Sequence, residues 1–235
     1  MMDISSIKLY ATHEHPCSYL KDRSATTIFV DPMLPMNGRI YSELSDFGFR
    51  RSGAHVYRPN CRSCQACVPV RIPVDLFEPS RAQKRCIKRN QDVATVLTDN
   101  INTDEHYALY ESYISSRHAD GDMYPPSRDQ YEDFLSSEWG VTRYIELRLN
   151  GELLAVAVSD RLDQGLSAIY TFFKPDEHSR SLGVLAVLRQ VELAKSLNLP
   201  YVYLGYWIRE CDKMRYKNQY RPLDMFINNT WLTIG

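Results

Sequence analysis

Four cysteines in the first third of the chain are the residues most able to bind a metal ion. Cys61, Cys64 and Cys67 follow one another at intervals of three residues, and Cys17 lies well upstream. Four thiolates are the number that suits a tetrahedral zinc ion or an iron–sulfur cluster. Structural zinc sites more often use two separated pairs of cysteines, so reduced thiols that pack as small apolar groups are the alternative. The residues alone leave both interpretations open.

A run of basic residues without an acid, which we call the basic stripe, has the spacing of one helix face. Its members are Arg81, Lys84, Arg85, Lys88 and Arg89, and a helix that begins at Ser80 would align them. Like charges so placed repel one another, whereas phosphates would offset the repulsion and release counterions. We expect the stripe to bind a nucleic-acid backbone. The alternative is a solvated face that pairs with acids elsewhere, such as those of residues 104–138.

A second candidate for anion binding lies between a predicted strand and the most clearly amphipathic helix. Arg180 and Gly183 stand at the start of that helix, where free backbone N–H groups and the helix dipole favour phosphate. An Arg-x-x-Gly sequence in this position is similar to the one with which acyltransferases of the GNAT superfamily hold the phosphates of an acyl carrier. A plain helix start, with Gly183 needed for close packing, is the other interpretation.

Several polar groups follow or end the last predicted strand. The carboxyl ends of strands in an open α/β sheet are where ligands usually bind. We therefore expect catalytic residues among the polar side chains there, although a core tyrosine and solvated lysines are the alternative. The candidates are Tyr206, Asp212, Lys213, Tyr216 and Lys217.

The elements that position these groups are clearest after residue 80. Alternating apolar residues at 145–149, a two-residue Asn150-Gly151 turn and a second apolar run at 153–158 predict a β-hairpin. A strand at residues 166–173, the amphipathic helix and a strand at Tyr201–Trp207 follow. Strands, then a helix, then a strand predict a mixed α/β fold.

The first 79 residues are rich in turns, cysteine and arginine. Pro59, Pro69, Pro73 and Pro79 interrupt the stretch around the cysteines. We therefore expect a smaller Cys/Arg-rich module at residues 1–79 and a larger mixed α/β domain at residues 80–235.

Bulk composition is that of an ordinary globular protein. The 235 residues include 44% hydrophobic and 24% charged residues, with a formal net charge of -1. No apolar run approaches the ~20 residues that a membrane helix needs, and the N-terminus lacks the pattern of a signal peptide. We expect a cytoplasmic protein without a membrane partner, in which six cysteines are not a disulfide set.

Short stretches along nearly the whole chain resemble the arginyl/leucyl-tRNA–protein transferase family. They are HPCSY at 15–19, FRRSG at 49–53, YRPNC at 57–61, YTFF at 170–173, RSLG at 180–183, YLGYWI at 203–208 and KMRYK at 213–217. The resemblance implies a GNAT-like C-terminal domain, an aminoacyl-tRNA donor and acceptor proteins that begin with Asp or Glu. The short chain is similar to the bacterial branch, which transfers leucine and so marks proteins for the N-degron pathway.

This reaction requires neither a nucleophilic catalytic triad nor a cofactor. The donor ester is already activated, and a free α-amine with a pKa of about 7.7–8.0 can attack near neutral pH. On this reading the basic stripe, Arg180 and Gly183 would hold the tRNA. An arginine would recognise the acceptor carboxylate, because its fork can form two parallel hydrogen bonds. The candidates are Arg50, Arg51, Arg71 and, as first choice because Pro59 restrains its backbone, Arg58.

Three other functions remain open at this point. The same enzyme could use arginine as donor. A GNAT N-acetyltransferase that uses acetyl-CoA would explain Arg180 and Gly183, but it would leave the basic stripe unexplained. A non-enzymatic module similar to a zinc ribbon would explain the cysteines alone.

Overall fold

A computed structural model describes residues 6–235. Its strands are β1 (Leu9–Ala11), β2 (His15–Pro16), β3 (Ser24–Ala25), β4 (Thr27–Val30), β5 (Arg50–Ser52), β6 (His55–Pro59), β7 (Val68–Pro73), β8 (Ala94–Thr98), β9 (Thr142–Leu149), β10 (Glu152–Leu162), β11 (Gly165–Phe173), β12 (Tyr201–Trp207), β13 (Leu223–Ile227) and β14 (Thr230–Ile234). Its helices are α1 (Gly38–Asp46), α2 (Arg81–Arg89), α3 (Asp104–Arg117), α4 (Arg128–Leu135), α5 (Leu182–Ser196) and α6 (Asp212–Arg215).

An eight-stranded sheet in the order β14-β13-β7-β12-β11-β10-β9-β8 is the centre of the fold. The predicted hairpin joins β9 to β10, and both turn residues have the positive φ that such a turn needs, 50° at Asn150 and 89° at Gly151. Helix α5 connects β11 to β12, which run parallel. The mixed α/β class expected from the sequence is therefore confirmed.

Both faces of this sheet are covered by apolar side chains. Val187, Leu188 and Val191 of α5 pack on one face against Val202 and Leu223. The opposite face carries a cluster from α3, α4 and the central strands that includes Tyr110, Ile114, Tyr131, Leu135 and Phe172. Fully burying each such side chain contributes about 1.5–3 kcal/mol. No helix among residues 6–235 has both the length and the apolarity that crossing a bilayer requires.

Strand β7 departs from the sequence-based expectation. Its residues were expected to be broken up by Pro69 and Pro73, but they form a strand between β12 and β13. The prolines are tolerated because β13 pairs with β7 only at Val70 and Arg71, so neither missing N–H is needed on that side. The chain before residue 79 thus supplies an inner strand of the large sheet, and the expected boundary near Pro79 stays a prediction.

A second sheet, in the order β1-β4-β6-β5, is formed by strands between Leu9 and Pro59. One of its faces packs with α1 in a cluster that includes Ile28, Val30, Leu44 and Val56. Tyr203 of β12 belongs to the same cluster, so the two sheets share part of their core.

A fully buried ion pair joins the two sheets. Arg51 of β5 donates from Nε and Nη2 to the Asp160 carboxylate of β10, at 2.5 and 2.9 Å, and neither side chain is exposed. Arg51 also donates to the backbone carbonyls of Gly53 and Ser136. Burying two charges is tolerated because the pair is bidentate and its other donors are satisfied.

We expect Arg51→Met to lower the free energy of unfolding by about 3–5 kcal/mol, because it leaves the Asp160 charge buried without a partner. The double variant Arg51→Met/Asp160→Leu should recover part of that loss. Urea denaturation of both variants measures the difference. A single variant within 1 kcal/mol of the parent would contradict this role for the pair.

Candidate active site

The parallel strands β11 and β12 part after a short contact. They pair from Gly165 to Ser167 of β11, against Tyr201 to Tyr203 of β12, and no further. The β12 register against β7 shifts at Gly205, whose φ is +77°. We call the region where the two strands part, between residues 168–173 and 204–207 at their carboxyl ends, the cleft. Ligands of open α/β sheets bind in such places.

Arg50 reaches into the cleft from β5. Its guanidinium donates to Ser167 Oγ at 3.3 Å and to the carbonyl oxygen of Ala168. It lies flat on Gly205, where an added Cβ would stand 2.9 Å from Arg50 Cζ. Both the positive φ and this close approach require glycine at position 205. The two contacts use two of the five N–H donors of arginine, so the fork retains capacity for an anion.

Lys217 is the second cation of the cleft. Its Nζ donates to the Tyr206 carbonyl oxygen at 2.6 Å, and only 6% of the residue is exposed. Burial, which is the larger cause, and the nearby charge of Arg50 together lower the pKa of Lys217 to about 7. Among residues 6–235, no carboxylate forms an ion pair with it. Lys217 can therefore both accept and donate a proton near neutral pH.

Of the other four residues expected to be catalytic, three already pair with other groups of the protein and one is partly exposed. The Tyr206 hydroxyl is buried and donates to the Gly48 carbonyl at 2.9 Å, and burial raises the pKa of this phenol well above its ordinary value. Asp212 and Lys213 are exposed and form ion pairs with Arg215 and Asp120. The remaining candidate, Tyr216, is 43% exposed, with its ring centroid 5.9 Å from Lys217 Nζ.

The four arginines expected to bind the acceptor have different environments. Arg51 is enclosed in the ion pair with Asp160. Arg71 is also buried: it bonds to Asp224 at 3.1 Å and lies between the rings of Tyr201 and Trp231. Both hold the protein together and have no free face for a substrate. Arg50 lies in the cleft.

Arg58, the first choice from the sequence, lines a cavity beside the cleft, since Cys67 of the same lining is close enough to Lys217 to affect its pKa. Its guanidinium donates to the Phe47 carbonyl at 2.8 Å and stands 5.0 Å from the centroid of the Phe49 ring. The cavity has a volume of about 440 Å³. Arg58 is half-buried there and keeps donors free.

The structure brings the four early cysteines to this same cavity. Cys17, Cys61, Cys64 and Cys67 all line it, and all are free thiols. Burial, reinforced by the neighbouring thiols, raises the pKa of Cys67 to about 12. Nowhere in residues 6–235 do three Cys, His, Asp or Glu side chains form a group fit to hold a metal ion. The described side chains are not placed as a metal site, so the zinc ion or iron–sulfur cluster considered from the sequence stays a prediction, and no catalytic step depends on one.

The basic stripe forms as predicted. Ser80 and Gln83 close a capping box at the start of α2, and all five basic side chains are exposed. The end of α2 contacts the start of α5: Arg89 donates to the Ser179 carbonyl, and Asn90 Nδ2 donates to the Arg180 carbonyl at 2.9 Å. The stripe therefore leads toward the amino end of α5.

Arg180 and Gly183 have more local roles than their sequence pattern indicates. The Arg180 guanidinium forms a double hydrogen bond with Asp92, at 3.0 Å for each contact. An added Cβ at Gly183 would meet Phe173 at 3.3 Å, so this glycine permits close packing. The first turn of α5 has no side-chain cap, and the N–H groups of Val184 and Leu185 donate to the Ser181 carbonyl.

Sequence reasoning missed the pieces that build the cleft. Ser167 and Ala168 carry no signal of their own. Gly205 does carry one, since an isolated glycine inside a strand indicates a bulge or a close backbone approach. The position of Arg50 follows from tertiary contacts alone.

The pKa of Lys217 leads to a prediction about stability. The ordinary value is 10.5 and the folded value about 7, so between these pH values the unfolded chain binds a proton that the native protein has released. The contribution of Lys217 to the free energy of unfolding is therefore lowest below about pH 7 and rises between pH 7 and 10.5. The free energy of unfolding of the parent should increase relative to that of the Lys217→Met variant, by up to ~1.4 kcal/mol per pH unit between the folded and the ordinary pKa.

Urea denaturation at several pH values between 6 and 9 measures the gain. The control is Lys213→Met, which removes an exposed lysine and should show no such trend. Parallel stability curves for the parent and Lys217→Met would mean that Lys217 has an ordinary pKa.

Comparisons with known proteins agree along the whole chain. Two family models match it, described as the N terminus of arginine-tRNA-protein transferase at residues 15–85 and the C terminus at residues 105–227. A solved structure, that of L-PGS from Bacillus licheniformis, covers 72% of this chain and 49% of its own with a TM-score of 0.47 at 12% identity, and it adds nothing to the case.

Relatives of the same length are much closer in sequence. Proteins named aspartate/glutamate leucyltransferase are 56% identical in Saccharophagus degradans, over 99% of each chain, and 56% identical in Teredinibacter turnerae, over 100% of this chain and 97% of the relative. The protein of that name in Pseudomonas syringae pv. tomato is 53% identical over the whole of both chains. By both comparisons, the chain belongs to the arginine-tRNA–protein transferase family.

Proposed function

We propose that this protein transfers leucine from aminoacyl-tRNA to the N-terminal α-amine of proteins that begin with Asp or Glu, in the cytoplasm. The observation that carries the proposal is the end-to-end similarity, at 53–56% identity, to proteins named for that activity. The cleft supports it, because Arg50 and Lys217 lie near one another where the parallel strands β11 and β12 part. We also propose that the sheet around the cleft is GNAT-like.

The donor tRNA lies along the basic stripe. Five exposed cations on one helix face suit a row of phosphates, and the stripe leads to the uncapped start of α5. From there the aminoacylated end of the tRNA reaches the cleft, since α5 begins where β11 ends. Arg180 supports this end of the surface through its bond to Asp92.

The acceptor carboxylate is held by Arg50. This guanidinium is fixed by Ser167, Ala168 and Gly205 and still has donors free. A planar fork held in one orientation favours a carboxylate over an amide, because only the carboxylate can accept two parallel charged hydrogen bonds. Arg58 keeps donors free too, but it lies outside the cleft, on the rim of the cysteine-lined cavity.

Lys217 moves the proton that the reaction must transfer. The neutral α-amine attacks the ester carbonyl carbon, and neutral Lys217 takes the proton that the amine loses as the C–N bond forms. The positive charges of the cleft stabilise the oxyanion. The bond from carbon to the ribose oxygen then breaks, and the Lys217 ammonium returns the proton to that oxygen. A pKa of about 7 suits both halves of this transfer.

The test incubates the protein with leucyl-tRNA and Asp-, Glu-, Asn- or Gln-initial peptides and reads the gain in peptide mass. Leucine should be added to the Asp and Glu peptides. In Arg50→Gln the preference for Asp over Asn should fall on the order of 100-fold, since losing one partner of a buried charged pair costs about 2–5 kcal/mol. The readout is the ratio of kcat/KM values, because Arg50 also acts on Lys217.

Arg58→Gln is the matched control and should leave that ratio unchanged. A ratio that survives in Arg50→Gln but collapses in Arg58→Gln would place carboxylate recognition at the rim of the cysteine-lined cavity. Mass gain from arginyl-tRNA or acetyl-CoA, with none from leucyl-tRNA, would contradict the proposed donor.

The basic stripe predicts a salt-dependent affinity for charged tRNA. Five phosphate contacts give a log–log slope of roughly -3.5 to -4.5, and Arg85→Glu with Lys88→Glu should weaken binding and flatten the slope. Lys21→Glu with Lys195→Glu changes the net charge equally at exposed positions outside the stripe. If both double variants bind tRNA like the parent at two salt concentrations, the stripe is a solvated face.

A further inference from the structure

A row of side chains crosses the N-terminal sheet and ends at the cleft. Tyr10 of β1 stands opposite Phe29 of β4, Phe29 opposite Tyr57 of β6, and Tyr57 opposite Arg50 of β5. Residues directly opposite in antiparallel strands share a face of the sheet. Three aromatic rings therefore lead across four strands to Arg50.

The outer end of this row opens into an apolar groove of about 540 Å³, lined by Tyr10, Phe29, Val30, Asp31, Pro32, Met33 and His55. Met33 is 85% exposed and Tyr10 44% exposed. The Phe29 ring lies 6.2 Å from the His55 ring and 5.9 Å from the Tyr57 ring, measured between centroids. The core of this part of the protein lies on the opposite face of the sheet, so packing does not account for these exposed rings.

We propose that the groove binds apolar side chains of the acceptor polypeptide, a few residues after the N-terminal Asp or Glu. This inference rests on the proposed function, in which Arg50 holds the first residue. Three strand spacings separate Arg50 from Tyr10, about 14 Å, which an extended peptide covers in about four residues. Side chains near positions four and five of the acceptor would then reach the groove.

The charge of the groove favours a peptide over the tRNA. The described residues that line it include one acidic residue, Asp31, and no lysine or arginine, and a carboxylate at this place would repel phosphates. One lysine, Lys8, lies beside the groove, 4.7 Å from the centroid of the Tyr10 ring, and it is a single cation rather than a row of them. The cations suited to a nucleic-acid backbone are instead on α2. The two substrates thus approach the cleft from different elements.

The test compares two Asp-initial hexapeptides that differ at positions four and five, where one carries leucine and the other serine. Fluorescence anisotropy gives their affinities for the full-length protein, and mass gain with leucyl-tRNA gives KM and kcat. We expect the leucine peptide to bind about tenfold more tightly, the discrimination typical of one partly buried apolar side chain. Its KM should be lower by the same factor, with kcat unchanged.

Phe29→Ser and Met33→Glu should each abolish the difference between the peptides. Met33→Glu alters a side chain that is almost fully exposed, so it tests the groove without a risk to folding. Leu97→Glu is the matched control, since Leu97 is 54% exposed on β8, and it should keep the difference.

Equal affinities of the two peptides for the parent would overturn the inference. So would loss of tRNA affinity in Phe29→Ser or Met33→Glu without any change in peptide binding, because the groove would then belong to the donor. If the peptides bind with the expected difference but gain no mass, the inference stands and the proposed reaction fails.

Discussion

The organisation of this protein depends on holding two cations close together without a carboxylate between them. Arg50 and Lys217 lie near one another where β11 and β12 part, and their hydrogen bonds go to the backbone carbonyls of Ala168 and Tyr206, to Ser167 Oγ and to Met214 Sδ. Carbonyl dipoles neutralise a cation less completely than an anion does. Burial and, as the second cause, the charge of Arg50 therefore lower the pKa of Lys217 to about 7. The same lack of an acid leaves the cleft free to attract the carboxylate of a substrate.

The surrounding architecture can be understood as what keeps Arg50 in place. Its neighbour Arg51 points to the opposite side of β5 and is fixed to Asp160 on β10. Strand β5 is thus tied to one strand of the large sheet through Arg51 and reaches the next, β11, through Arg50. The inner position of β7 has a related effect, because it makes the N-terminal part of the chain continuous with the sheet that forms the cleft. The cleft is therefore built jointly by both parts of the sequence.

Local sequence signals predicted local structure well. The cap at Ser80 and the Asn150-Gly151 turn depend on neighbouring residues, and both formed as expected. Strand β7 was not predicted from the sequence, because its prolines are tolerated only where its pairing with β13 is limited to two residues. Nor could the sequence separate Arg50 from Arg51 and Arg71, since partners distant in the chain decide which guanidinium is enclosed. Lys217 was among the candidates, but its burial beside Arg50 is a tertiary property.

The measurement that most directly tests this account is an NMR titration of Lys217, with the Cε and Nζ signals assigned through Lys217→Arg. The account predicts a pKa near 7 in the parent protein. It also predicts a higher pKa in Arg50→Gln, because removing the neighbouring charge makes the ammonium easier to form. The control Arg58→Gln should leave the titration unchanged. A Lys217 that titrates near its ordinary value of 10.5 in the parent and in both variants would contradict the coupled pair of cations.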